Sequence, residues 1–416
     1  MAALPSQINY ADAPLALPDD VVSRQIALSP VNGGSFVPGG LIQFDFLNMG
    51  YIVPDSLFIR YKYAFTNVVA AEMCGLPYIS PFSRCETLIG STVYESIQQY
   101  SQVVTMNSNL YGDIGNKYGI QSASGYNDST SVPSLEQLDG RLLTVSETGT
   151  FSGVLPCLLS NCNKLVPAGM MPNIRVQLTL DQLSNYFTTT VAVPTALTLT
   201  NVELCYTSIT SPTFDAAVHS MGPTLSMKSL SFFNSATTLA SGTSGQVSLV
   251  YNQRLASIKA AFIMFCGQGA TSLNKQFDSY DPTSSSGDVS ITVAGSAFPQ
   301  RPLSYVNNKA GILMALRSAC GSIYDKANSM SINSVEFGKS GIAATSYSAP
   351  AKCIIGIPLE RFHGGLLSGV SSQNSAITVN LNTATATPQG YSVNLVCVAD
   401  VIITVDTTAG QVFVRQ

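Results

Sequence analysis

The sequence predicts an all-β chain made of two similar antiparallel domains in tandem. Two observations carry that expectation. The second half restates the first about 200 residues later, and both halves consist mainly of short period-2 runs bounded by Gly, Pro and Asn turns. Gly90-Ser91-Thr92-Val93-Tyr94 returns as Gly295-Ser296-Ala297-Phe298-Pro299 at an offset of 205, and Tyr100 keeps that offset at Tyr305. Val154-Leu155-Pro156 is echoed by Gly356-Ile357-Pro358. Ile174-Arg175-Val176-Gln177-Leu178-Thr179 is echoed by Ile377-Thr378-Val379-Asn380-Leu381-Asn382 at an offset of 203. Order, element type and spacing agree even where identities are few.

Residues 1–35, punctuated by Pro and Asp and closing on Asn32-Gly33-Gly34, read as an extended arm. Strands follow at Leu41–Phe46 and Leu57–Phe65. In the second, Ile59, Tyr61 and Tyr63 share one face and Phe58, Arg60 and Lys62 the other. Cys85–Val93 reads as strand–turn–strand around Gly90-Ser91, and Glu95–Leu110 as a helix with Ile97, Tyr100, Val104 and Leu110 near one face. Residues 112–134 are rich in Gly, Asn and Ser and form a loop. Strands recur at Leu142–Ser146, Gly149–Leu155, Ile174–Leu180 and Leu197–Ser208. The first unit thus spans 36–210, and Pro212, Gly222 and Pro223 mark a linker over 211–224.

The second unit, 225–406, repeats the plan. Gln246–Tyr251, Leu255–Phe265 and Val289–Ala294 are strands, with a polar loop at 272–288. Lys309–Lys326 is a helix presenting Ile312, Leu316, Ile323 and Ala327. Strands resume at Ser331–Phe337, Cys353–Pro358, Ile377–Asn382, Val393–Val398 and Val401–Val405, before a tail at 407–416. Each unit then holds about eight strands, with one helical insertion after the fourth. Eight antiparallel strands in two sheets form a jelly roll, which hides its edges by folding one sheet over the other. The expected fold is two tandem eight-stranded antiparallel jelly rolls, a double jelly roll, with short helical insertions.

Composition limits the function classes. Apolar residues are 45% of the chain and charged residues only 11%, against about 25% charged in a typical soluble domain. So few charges leave much surface to be covered, and assembly into an oligomer covers it; a secreted, glycosylated β-protein is the rival explanation. The net charge is −4, and the 20 Lys and Arg residues are scattered, with none before Arg24. Affinity for phosphate comes from clustered cations, so the chain is not built for specific nucleic-acid binding. Residues 1–20 show no basic and apolar leader pattern, which predicts synthesis without a secretion signal. The nine cysteines are irregularly spaced with no C-x-x-C, which predicts free thiols; Cys157 and Cys162 are the one spacing that could bridge.

Chemistry is hard to find. A Ser-His-Asp or Cys-His device would need His219 or His363, the only histidines, and neither lies near a nucleophile elbow. Gly267-Gln268-Gly269-Ala270-Thr271-Ser272 lacks the lysine of a phosphate loop and reads as a turn. Asp278-Ser279-Tyr280-Asp281 has too few ligands for a calcium loop and reads as solvated. Asn127-Asp128-Ser129 is the single glycosylation sequon. No catalytic, cofactor-binding or metal residues are assigned, and the chain is expected not to be an enzyme.

Several segments resemble a known family. Gly39-Gly40-Leu41-Ile42-Gln43-Phe44-Asp45-Phe46 followed by Val53-Pro54-Asp55-Ser56-Leu57-Phe58-Ile59-Arg60-Tyr61 looks like the opening strand pair of its small viral members. Cys85-Glu86-Thr87-Leu88-Ile89-Gly90-Ser91 leading to Gln99-Tyr100, and Val405 through Arg415 at the end, are similar to it as well. The family is that of the double-jelly-roll major capsid proteins of tailless icosahedral DNA viruses, which includes adenovirus hexon, virophages and polinton-like viruses. The resemblance implies homotrimers whose six rolls approximate a hexagon and tile a virion shell. It also implies contacts with neighbouring capsomers and with penton and minor capsid proteins, with 1–35 and 407–416 tying neighbours together and 112–134 and 272–288 as outer loops. A virus shell protein with one jelly roll and a protruding domain would leave the internal repeat without a place. A tandem carbohydrate-binding or adhesive β-sandwich would call for Trp on its surface, and the chain has none. A cupin-like enzyme would need a His-rich metal motif.

Overall fold

The computed structural model describes residues 18–66, 71–73, 81–111, 141–143, 147–185, 196–268, 279–282, 287–306, 308–321, 330, 332, 337, 352–361 and 367–416. The first unit comprises β1 (Val22–Leu28), β2 (Ser35–Phe36), β3 (Leu41–Asp45), β4 (Tyr51–Thr66), β5 (Ala71–Met73), β6 (Phe82–Ile89) and β7 (Thr92–Gln98). The helix α1 (Tyr100–Tyr111) follows, then β8 (Arg141–Leu143), β9 (Glu147–Val154), β10 (Ile174–Leu180) and β11 (Ala196–Thr210). A short helix, α2 (Pro212–Ser220), leads to the second unit: β12 (Thr224–Leu239), β13 (Gly245–Tyr251), β14 (Ile258–Gly267), β15 (Asp288–Val293) and β16 (Ser296–Ser304). It continues with α3 (Lys309–Ala319), β17 (Ile355–Pro358), β18 (Ile377–Thr383), β19 (Tyr391–Asp406) and β20 (Gln411–Arg415).

The sheets of the first unit run β1-β11-β4-β9 and β3-β10-β6-β7; those of the second run β12-β19-β14-β17 and β13-β18-β15-β16. When the eight principal strands of each unit are numbered in chain order, both units give 1-8-3-6 facing 2-7-4-5. Every named ladder is antiparallel. This is the jelly roll, present twice. β2 and β20 are additions on β11 and β19, and among the described residues β5 pairs only with β8.

Alternation fills the cores. Ile42 and Phe44 of β3, Ile59, Tyr61 and Tyr63 of β4, and Val176 and Leu178 of β10 are buried, while Arg60 and Lys62 face out. β14 is buried along nearly its whole length, on both faces. One face packs into the roll, and α3 lies near the other, with Ile312 and Leu316 buried beneath it. Gly356 on β17 permits that approach, because a Cβ there would come within 2.9 Å of the Leu316 Cα.

Every anchor of the sequence repeat lies on equivalent elements. Gly90 and Gly295 close the β6–β7 and β15–β16 hairpins with φ of +64° and +78°, a backbone region open to glycine. Tyr100 and Tyr305 are both buried behind the fifth strand. Val154 and Gly356 lie on the sixth strands, and Ile174 and Ile377 open the seventh.

Several boundaries differ from the sequence reading. Residues 22–28, read as part of the arm, are the first strand of the first roll, paired with β11. Its counterpart β12 starts at the last residue of the expected linker and was not foreseen. The linker itself holds α2, with the Ser211 hydroxyl accepting from the Phe214 amide at 3.2 Å at its N-cap. Residues 95–98 continue β7, and the helix begins at Tyr100. Each helix follows the fifth strand, not the fourth: the first strand of each roll and, in the second roll, β16 add to the strands expected. The two strands expected around Asp400 are the single strand β19. The tail contributes β20. Residues 1–17, 112–134, 269–278 and most of 331–337 lie outside the described residues.

Candidate assembly surface

The first strand of a jelly roll sits at a sheet edge, where its outward N–H and C=O groups lack a strand partner. In the second roll, residues of the first roll cover that edge. The Asn163 amide donates to the Lys228 carbonyl at 2.9 Å, and the Lys228 amide donates to Asn163 Oδ1 at 2.9 Å. Asn161 Nδ2 donates to the Leu230 carbonyl at 3.0 Å. Ser229 Oγ donates to the Leu158 carbonyl at 2.6 Å. Further along, the Gln98 amide donates to Asn234 Oδ1 at 2.9 Å, and Asn234 Nδ2 donates back to the Gln98 carbonyl. Side-chain amides here stand in for a neighbouring strand. On the flank, Asn394 Nδ2 of β19 donates to Gln102 Oε1 of α1 at 2.6 Å, and Tyr94 OH donates to the Val412 carbonyl of β20 at 2.8 Å.

Glu95 lies at the centre of this seam, 1% exposed. Its carboxylate accepts from Ser231 Oγ across the seam, from the Leu158 amide at 2.6 Å and from Thr87 Oγ1 at 3.2 Å. Burial pushes the carboxyl up to about 7, and the donors hold it back only in part. Nothing in the sequence marks Glu95 out; its surroundings come from strand β12, whose Ser and Thr content hid it from pattern reading.

The residues considered for chemistry are not brought together. His219 is exposed in the last turn of α2, and His363 lies outside the described residues. Gly267 ends β14, the Gln268 amide donates across to the Gly390 carbonyl at 3.0 Å, continuing the ladder with β19, and residues 269–272, expected to turn, lie outside the described residues. Ser279, Tyr280 and Asp281 are buried instead of solvated: Ser279 Oγ donates to the Cys353 carbonyl at 2.7 Å. Asn127 lies outside the described residues. The eight described cysteines are free thiols, Cys157 and Cys162 among them. Among the described residues no three His, Cys, Asp or Glu side chains gather to hold a metal, and no helix is long and apolar enough to cross a membrane. A cleft of about 810 Å³ beside the seam is lined by amides such as Gln98, Gln102, Asn185, Asn234 and Gln268.

No family model matches the chain, and no curated protein matches it. Solved structures do. The Faustovirus major capsid protein superposes with a TM-score of 0.64 at 8% identity, covering 95% of this chain and 92% of that one. The VP54 protein of PBCV-1 gives 0.60 at 12%, covering 97% and 98%. The mavirus major capsid protein gives 0.53 at 11%, covering 100% and 95%. The chain is therefore similar in fold, along nearly its whole length, to double-jelly-roll capsid proteins.

Proposed function

We propose that this chain is a major capsid protein whose homotrimers tile an icosahedral virus shell. The observation that carries this reading is the end-to-end fold likeness to three viral capsid proteins, with no large part of either chain left over. The pairing of rolls supports it. Two rolls of one topology, fixed side by side through a dense seam, make one third of a six-lobed block, and a threefold block of six similar lobes packs on a hexagonal net. The low charge content fits a chain that buries much of its surface on assembly.

In this reading the protein resides in the virion, its first partners are further copies of itself, and penton and minor capsid proteins meet the block at its margins. The role is structural, without catalysis. The tandem carbohydrate-binding reading is not favoured: among the described residues the one exposed large aromatic is Phe413, on β20 beside the seam. Light scattering on a sizing column tests the proposal. The expected species has three times the 43.9 kDa chain mass; a monomer at all concentrations would overturn it.

A further inference from the structure

The two rolls are alike in topology but opposite in what they leave uncovered. β12, the first strand of the second roll, is covered by the first roll: Met227, Ser229 and Ser231 on it are 4%, 1% and 0% exposed. The ladders align β1 with β12, since Val22 faces Thr210 and Thr224 faces Asp406, each at the last residue of its partner strand. That alignment matches Gln25 with Met227, Ala27 with Ser229 and Ser29 with Ser231. All three residues on the β1 side are exposed. β1 is exposed on both faces from Val22 to Gln25, and among the described residues no strand pairs with its outer edge.

The fifth strand and the helix behind it show the converse. In the first roll β7 and α1 share the covering with residues 158–163: Glu95 of β7 accepts from Ser231 of β12, and Gln102 of α1 accepts from Asn394 of β19. In the second roll β16 is largely exposed, and Gln300 and Arg301 stand out on the bulge that replaces the Glu95 position. Val306 and Met314 beyond it are 62% and 48% exposed. One chain therefore carries one filled seam and the two separate halves of a second one.

We infer that β16 and α3 of one copy seat on β1 of the next, repeating between chains the part of the seam that β7 and α1 form with β12 and β19 within the chain. The inference rests on the capsomer reading and gives that assembly its residues. The contact is head-to-tail, so it propagates around a ring and closes when the third copy returns to the first. Val22 on the β1 side and Val306 and Met314 on the other supply the apolar surface for burial.

Two exposed substitutions test it: Ala27→Arg on β1 and Met314→Arg on α3. Val250→Arg, at a 56%-exposed site on β13 away from both halves, is the control. Circular dichroism and thermal melts confirm that all three fold. Light scattering is expected to show the wild type and Val250→Arg as three-chain species, and Ala27→Arg and Met314→Arg each as single chains. An equimolar mixture of the last two keeps one intact contact per pair, β16 and α3 of the Ala27→Arg chain on β1 of the Met314→Arg chain. It is expected to give a two-chain species that does not grow further. If the wild type is trimeric and either variant stays trimeric, or the mixture stays monomeric, the inferred seam is wrong while the capsomer reading stands. A monomeric wild type overturns both.

Discussion

Glu95 and Asp400 are equally buried, at 1% and 0% exposure, and the protein treats them differently. Asp400, in the middle of β19, has Lys228 Nζ at 2.9 Å and accepts from Ser257 Oγ at 2.9 Å, all within the second roll. Glu95, at the boundary between rolls, has neutral donors only. Burial pushes Glu95 up to about 7, since hydroxyl and amide dipoles offset the cost of burying a carboxylate only in part. The charge pair fixes a strand inside one roll, whereas the uncompensated carboxyl makes the bond between rolls responsive to pH.

The largest expected effect comes from breaking the paired site. Asp400→Ala leaves Lys228 and Ser257 without their buried acceptor and is expected to cost about 3–5 kcal/mol of unfolding free energy in urea titrations. Glu95→Ala leaves the Leu158 amide and the Ser231 and Thr87 hydroxyls unsatisfied. Water can reach a seam more readily than a roll interior, so about 2–3 kcal/mol is expected by the same titration. A loss at Glu95 equal to or larger than that at Asp400 would break the comparison.

The pH profile sharpens it. The folded-state value of Glu95 lies above the ordinary 4.5, so its contribution favours folding most below pH 4.5 and is lost as pH rises through about 7. The stability difference between wild type and Glu95→Gln should therefore shift between pH 4.5 and 7 and level off above. A difference constant over that window would contradict the neutral-donor account. The smallest effects are those of Gly90→Ala and Gly295→Ala. Each forces a Cβ into positive φ and is expected to cost about 1 kcal/mol in thermal melts, to a similar extent in both rolls.

The sequence made the repeated parts legible because they are governed by local physics. The Gly-Ser turns need positive φ, and strands such as Ile174–Leu180 alternate cleanly because one face meets a core and the other does not. The first strands of both rolls were not legible. Val22–Leu28 has no buried face to impose alternation, since most of it is exposed. Thr224–Leu239 is rich in Ser and Thr because it answers the polar groups of the first roll, a contact no local pattern records. Asp400 split a strand in the reading for the same reason: its partner Lys228 is 172 residues away in sequence (400 − 228). The assembly surface lies where these signals failed, at strands whose partners are distant or on another roll.

The central claim is that one chain supplies two lobes of a six-lobed block. Electron microscopy of the purified protein tests it most directly. Class averages with a hexagonal outline and threefold symmetry are the predicted result; two-lobed single particles, or rings of any other symmetry, would contradict the account.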